Sequence, residues 1–287
     1  MIFLRPTNIF QFIFQFLLNQ FFRLRVSLKK RMNLKVKNNI FLSGDFFQSL
    51  AKTKKNKNNK IIFRSLNEIP NKNHLNRFKK KKWIFHNSDE TFDIKALKRI
   101  SYFKPLRCYS QNLVINKKGF YFLPIGLENN KYQNHGDIND FKTLRKIKIQ
   151  KISRILYGFN VRNLKRFQIK SILKKLNTCD ETKGWNSFIY RRILRRYMFV
   201  TCPEGNGIDT HRFWEALYLE TIPVIKKNKI SRFFVKANLP VLVLNNWSDL
   251  LKYDENRLNK IYNDKKKFFN NRYLYQSYWR TLILSKN

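Results

Sequence analysis

Apolar positions along the chain alternate between short solid runs and stretches with helical spacing. Lys60–Arg64 and Lys82–His86 are short runs that read as strands. Asn112–Ile115 and Tyr121–Leu123 read the same way, with a turn at Lys117–Gly119 between them. Asp93–Ile100 reads as a short helix, and Asn33–Leu50 as a short strand followed by a helix. Further on, Ile152–Phe159 reads as a strand, and Leu164–Leu176 and Trp185–Arg196 as amphipathic helices. Met198–Pro203 and Ile222–Ile225 are again short and apolar. Strands alternating with helices predict an α/β architecture with parallel sheets. Lys52–Lys60, KTKKNKNNK, predicts a solvated loop. Asn129–Asp140, rich in Asn, Gly and Asp, predicts a domain boundary. A chain of 287 residues has room for two modest domains, here 32–140 and 141–287 after a separate segment 1–31.

The densest chemistry lies in Thr201–Ile225, TCPEGNGIDTHRFWEALYLETIPVI, which reads strand, glycine loop, helix, strand. The whole chain holds eight glycines, so Gly205 and Gly207 inside one three-residue window are unlikely as filler. Asp209 or Thr210 can cap the following helix by accepting a backbone N–H. Phe213, Trp214, Leu217 and Tyr218 form an apolar stripe. A glycine turn leading into a helix N-terminus favours an anion, because free N–H groups and the helix dipole both attract negative charge. His211, Arg212 and Glu215 fall on the first turns of that helix and lean toward its N-terminus.

This stretch resembles the C-terminal signature of exostosin-like glycosyltransferases. The match runs through Cys202, Pro203, Gly205, Asn206, Gly207, Asp209, Thr210, His211, Arg212, Trp214, Glu215, Ala216, Leu217, Ile222, Pro223 and Val224. One departure is Glu220, where that family usually has glycine. Shorter similarities follow the same order along the chain: Trp83–Phe92, Asn112, Pro124–Glu128 (PIGLE) and Leu239–Trp247. The resemblance implies a GT-B-like arrangement of two Rossmann-like domains with parallel sheets, the N-terminal one short. It also implies transfer of a sugar from a nucleotide-sugar donor to a glycan, lipid-linked or other hydroxyl acceptor.

On that expectation Gly205, Asn206, Gly207, Asp209, Thr210, His211, Arg212 and Glu215 form the donor site. Gly205 and Gly207 let the backbone approach a diphosphate, or simply make a turn. Arg212 can fork onto phosphate oxygens, or pair with Asp209 three residues earlier. Glu215 can accept from ribose hydroxyls, although a lone helical glutamate more often faces solvent. Glu204 and Asp209 are awkward beside an anion and can instead orient Arg212 and His211. Transfer also needs a base for the acceptor hydroxyl. Asp89 is the first candidate and His86 the second, after a strand end where ligands bind in open α/β sheets. Asp89 reads equally well as a capping residue in an Asn-Ser-Asp turn, and Glu128 is a third candidate.

Composition changes the picture in one respect. The formal charge of +42, with 18 acidic residues, suits anionic partners: nucleic acid, an anionic membrane or nucleotides. The charge is spread over the whole chain, and no nucleic-acid-binding module is legible. A basic nucleic-acid-binding protein and a degenerate, inactive transferase relative are the alternatives to an active enzyme. Cys108, Cys179 and Cys202 are dispersed and odd in number, which suggests a reducing compartment such as cytoplasm or organelle stroma. The histidines show no ligand spacing and no Asp-x-Asp pair is present, so metal-independent transfer without a cofactor is expected. Ile9–Phe22 is too short to span a bilayer, carries polar residues at 8, 11, 15 and 19, and precedes Arg23, Arg25, Lys29, Lys30 and Arg31. That pattern predicts a helix lying on an anionic membrane surface, or else a packing helix.

Overall fold

The structure, a computed structural model, describes residues 40–53, 60–132, 137–161, 163–182 and 186–285. The surface helix expected within 1–31, the strand expected after Asn33 and most of the Lys52–Lys60 run lie outside them. The first half runs α1 (Gly44–Ala51), β1 (Ile61–Arg64), α2 (Leu75–Phe78), β2 (Lys82–Phe85), α3 (Ile94–Ser101), β3 (Arg107–Ser110) and β4 (Phe120–Phe122). The second runs α4 (Ile138–Lys146), β5 (Ile152–Tyr157), α5 (Leu164–Leu173), β6 (Cys179–Glu181), α6 (Ser187–Arg196) and β7 (Tyr197–Thr201). It continues through α7 (His211–Tyr218), β8 (Ile222–Lys226), α8 (Ser231–Lys236), β9 (Leu242–Leu244), α9 (Glu255–Lys265) and α10 (Gln276–Leu284).

Among the described residues the strands form two parallel sheets, as the alternation of elements predicts. The first has the order β1-β2-β3-β4 and the second β6-β5-β7-β8-β9. Successive strand residues face opposite sides, and the first sheet uses both sides. Trp83, Phe85 and Cys108 pack with Phe78, Phe92, Ile100 and Phe103. Ile84 and Tyr109 pack with Phe46, Phe47 and Leu50 of α1 and with Trp279 and Ile283 of α10. The chain's last helix therefore returns to cover the first sheet, although it follows the whole second sheet in sequence.

Two expectations need correction, and one strand went unread. Asn112–Ile115 is not a strand; only a single bridge, Phe92 to Leu113, forms there. The strand lies upstream at β3 and ends because Asn112 adopts a left-handed φ of 50°. Strand β6, CDE, has no apolar run and was illegible; it is a sheet edge held by Arg154, whose guanidinium forks onto Asp180 at 2.7 and 2.8 Å. The boundary at 140/141 falls inside α4, which Asp137 starts by accepting the Asp140 N–H. Among the described residues no helix is long and apolar enough to cross a membrane.

Candidate functional site

The second sheet changes direction at β5. Strand β6 lies on one side of β5, and the chain then crosses to β7 on the other. The loops leaving the C-terminal ends of β5 and β7 diverge, and such a switch point opens a crevice. Here it is a cleft of about 780 Å³, walled by 157–161, by 203–210 and by the start of α7. Asp89, Ile125 and Glu128 close it from the first half.

The glycine loop is built for contact between the halves. Gly205 N–H donates to the Gly207 carbonyl at 3.0 Å, which closes a tight turn. A side-chain carbon at Gly207 would stand 2.7 Å from Asn112 Nδ2, so glycine is required by the approach of Asn112. Asn112 Oδ1 accepts the Asp209 N–H at 2.8 Å. The buried Asp209 carboxylate in turn accepts from the Ile125 N–H at 2.8 Å and from Trp214 Nε1 at 2.9 Å. It caps no helix and makes no ion pair with Arg212. Thr210 occupies the N-cap position but its hydroxyl caps nothing, so the capping expectation fails for both residues. Burial pushes the Asp209 pKa up to about 7, against the N–H donors that favour its charge.

Arg212 lies at the cleft wall without a carboxylate at ion-pair distance among the described residues, and its buried Nε has no hydrogen-bond partner. Its guanidinium sits 5.6 Å from the Tyr190 ring centre. The buried Tyr190 hydroxyl interacts with that guanidinium and has no other hydrogen-bond partner. Burial works against the charge of Arg212, but Tyr190, Cys202 and Glu215 outweigh it and raise its basicity. Glu215 lines the same cleft one turn along α7.

Opposite, His211 donates from Nδ1 to the Gly126 carbonyl at 2.8 Å, and its Nε2 stands 3.3 Å from Glu128 Oε2. Glu128 comes from the first half and His211 from the second, so this pair spans the cleft. Gly126 has φ +69° and packs against the Leu42 backbone, which excludes any side chain there. Asp89 is exposed at the rim and accepts from Asn206 Nδ2 at 3.1 Å.

His86 is placed differently. Its ring is buried against Phe47, its Nε2 donates to the Pro124 carbonyl at 3.1 Å, and its Nδ1 accepts the Asn87 N–H at 2.9 Å. Burial lowers its pKa to about 4. A neutral ring with both nitrogens bonded holds the β2 end in place and does not line the cleft, so the second candidate base is a core residue. Glu204 is likewise away from Arg212 and His211; its side chain accepts from Asn228.

Two cleft residues were not legible in the sequence. Arg166, in the first turn of α5, donates to the Asn160 and Glu204 carbonyls at 3.0 Å and so ties the two diverging loops together. Tyr190, on α6, is the ring facing Arg212. The only available signal was their position on the helices that flank the switch point. No protein-family model matches the chain, and no curated protein matches it in sequence.

Proposed function

We propose that the chain is a nucleotide-sugar-dependent glycosyltransferase of the GT-B, exostosin-like type. The observation that carries the reading is Arg212: a buried guanidinium with no carboxylate at ion-pair distance among the described residues, at a switch-point crevice that Glu215 also lines. A diphosphate can bond the guanidinium directly, and charge-assisted hydrogen bonds to a guanidinium are strong and directional. Glu215 then accepts from the ribose hydroxyls. Across the cleft the acceptor hydroxyl loses its proton to a carboxylate of the first half, Asp89 first and Glu128 second. The Nδ1–H of His211 is committed to Gly126, which aims its Nε2 at Glu128, and the pair positions the acceptor side. The leaving nucleoside diphosphate takes the sugar's bonding electrons, and its developing charge falls beside Arg212.

The basic composition by itself suits nucleic acid equally well, but no residue arrangement in the cleft favours that partner. The deciding experiment is a thermal-shift screen with the common nucleoside diphosphates, followed by turnover of the matching nucleotide sugar. Binding raises the melting temperature by mass action. If none at millimolar concentration shifts it, the reading fails. The missing Asp-x-Asp pair carries a further expectation, transfer that survives EDTA; activity abolished by EDTA and restored by manganese would overturn that part.

A further inference from the structure

Helix α5 is apolar on two faces. Its inner face, Ile169, Ile172 and Leu173, packs on the second sheet's core. Its outer face, beside the cleft mouth, shows Leu164 at 70% exposure, Phe167 at 58% and, just before the helix, Val161 at 41%. Positions three apart on a helix are neighbours, so Leu164 and Phe167 form one patch. Side chains this exposed project outward rather than line a groove that could receive a partner's side chains.

The charges on the helix itself have one sign. Helix α5 and the two residues after it contain no acid. Lys170 is turned to Glu181 at 2.7 Å, and Arg166 to the loop carbonyls. Lys165, Lys174 and Lys175 are exposed and form no ion pair among the described residues. Projecting Leu and Phe flanked by lysines is the chemistry of insertion at an anionic lipid surface, where apolar side chains enter the headgroup boundary and cations stay over it.

The geometry points to α5 as a membrane-docking face that sets Leu164 and Phe167 into an anionic bilayer and turns the cleft mouth toward it. Docking stands on the patch alone. Resting on the transferase reading, it also narrows the acceptor to a hydroxyl carried by a lipid, since the rim residues Val161 and Asn163 line both patch and cleft.

The test is partition of the full chain onto phosphatidylcholine vesicles with and without phosphatidylglycerol. Leu164→Ser with Phe167→Ser should weaken binding to the anionic vesicles about tenfold or more, as expected for two apolar side chains withdrawn from lipid. The control pair Val235→Ser with Leu251→Ser removes equally exposed apolar groups elsewhere (56% and 72%) and should leave binding unchanged. Both variants should keep the wild-type melting temperature and its response to nucleoside diphosphates, so a failed donor screen and a failed docking test read out separately. The proposal is overturned by wild-type chain that ignores anionic vesicles, by equal loss in the two variants, or by no loss in the first. It is also overturned if lipid-free wild type sediments as an oligomer that the Leu164/Phe167 variant dissolves, because a second copy would then own the face.

Discussion

Two buried charge clusters lie close together in the second half and are neutralised in opposite ways. Between α4 and α6, Asp140 receives Arg191 Nε at 2.7 Å and Arg192 Nη2 at 3.0 Å. Burial works to raise the Asp140 pKa, but the two guanidiniums overcome it and hold the carboxyl below the ordinary range. At the start of α7 the carboxylate and the guanidinium are kept apart. Burial pushes Asp209 up to about 7 because only neutral N–H groups and no cation at ion-pair distance oppose it, while Arg212 faces a tyrosine ring and the cleft. Charge that only holds a fold is cancelled within the fold, because an unpaired buried ion is costly. Charge left without a close ion pair at a crevice is available to a ligand.

The largest effect should come from breaking the cancelled cluster. Asp140→Ala leaves Arg191 buried without its carboxylate and should cost about 3–5 kcal/mol of folding stability, measured by denaturant unfolding. A loss below about 1 kcal/mol would make the two clusters alike.

Arg212→Ala should do the reverse. Folding stability should change by less than about 1 kcal/mol, the scale of its ring contact. Nucleoside diphosphate binding should weaken by about 1.5–3 kcal/mol, the range for hydrogen bonds to charged groups. Arg212→Lys should restore only part of it, because the planar fork is lost. Calorimetric titration reads both variants. Unchanged affinity with a large drop in stability would move Arg212 into the structural class.

Titration sharpens the contrast further. Asp209 has a folded pKa above its unfolded value, so its contribution is present below about pH 4 and is lost as pH rises to about 7. His86 has a depressed folded pKa, so its contribution is present above about pH 6.5 and is lost as pH falls to about 4. The two slopes oppose one another between about pH 4 and 6.5. Asp209→Asn should unmask the histidine, with stability rising by up to about 1.4 kcal/mol per pH unit in that window. Urea melts of both chains across the window check it; a flat profile in the variant would show that the His86 pKa is not depressed, and the same slope in both chains would show that Asp209 does not hold its proton in the fold.

The smallest effect is expected at Glu220, which follows the end of α7 with φ +57°. Its carboxylate pairs with Arg195 at 3.4 Å and approaches Arg145 at 3.9 Å. Glu220→Gly relieves a left-handed residue by about 1 kcal/mol and gives up part-exposed ion pairs of similar size. The net change should lie within about 1 kcal/mol, and a larger loss by thermal unfolding would place Glu220 with Asp140 among the essential counter-charges.

Much of this was local enough to read from the chain. Strands β1, β2, β5, β7 and β8 are apolar runs whose burial requires no knowledge of their partners, and the helix from His211 carries its stripe openly. The turn at Gly205–Gly207 was legible too, since two glycines so close mark a tight approach of the backbone. Strand β6 could not be read, because its stability comes from Arg154 across the sheet and not from its own residues. The fates of the candidate side chains were decided by the tertiary structure. Sequence placed His86 and Asp89 on one loop, yet the fold sends one ring into the core and leaves the other carboxylate at the cleft rim. Sequence offered Asp209 to Arg212, yet the fold gives Asp209 to Ile125 and Trp214 and leaves Arg212 facing the crevice. Hydrophobic period and turn chemistry act over a few residues and are written in the sequence; which charge meets which partner is set by groups that lie far apart along the chain.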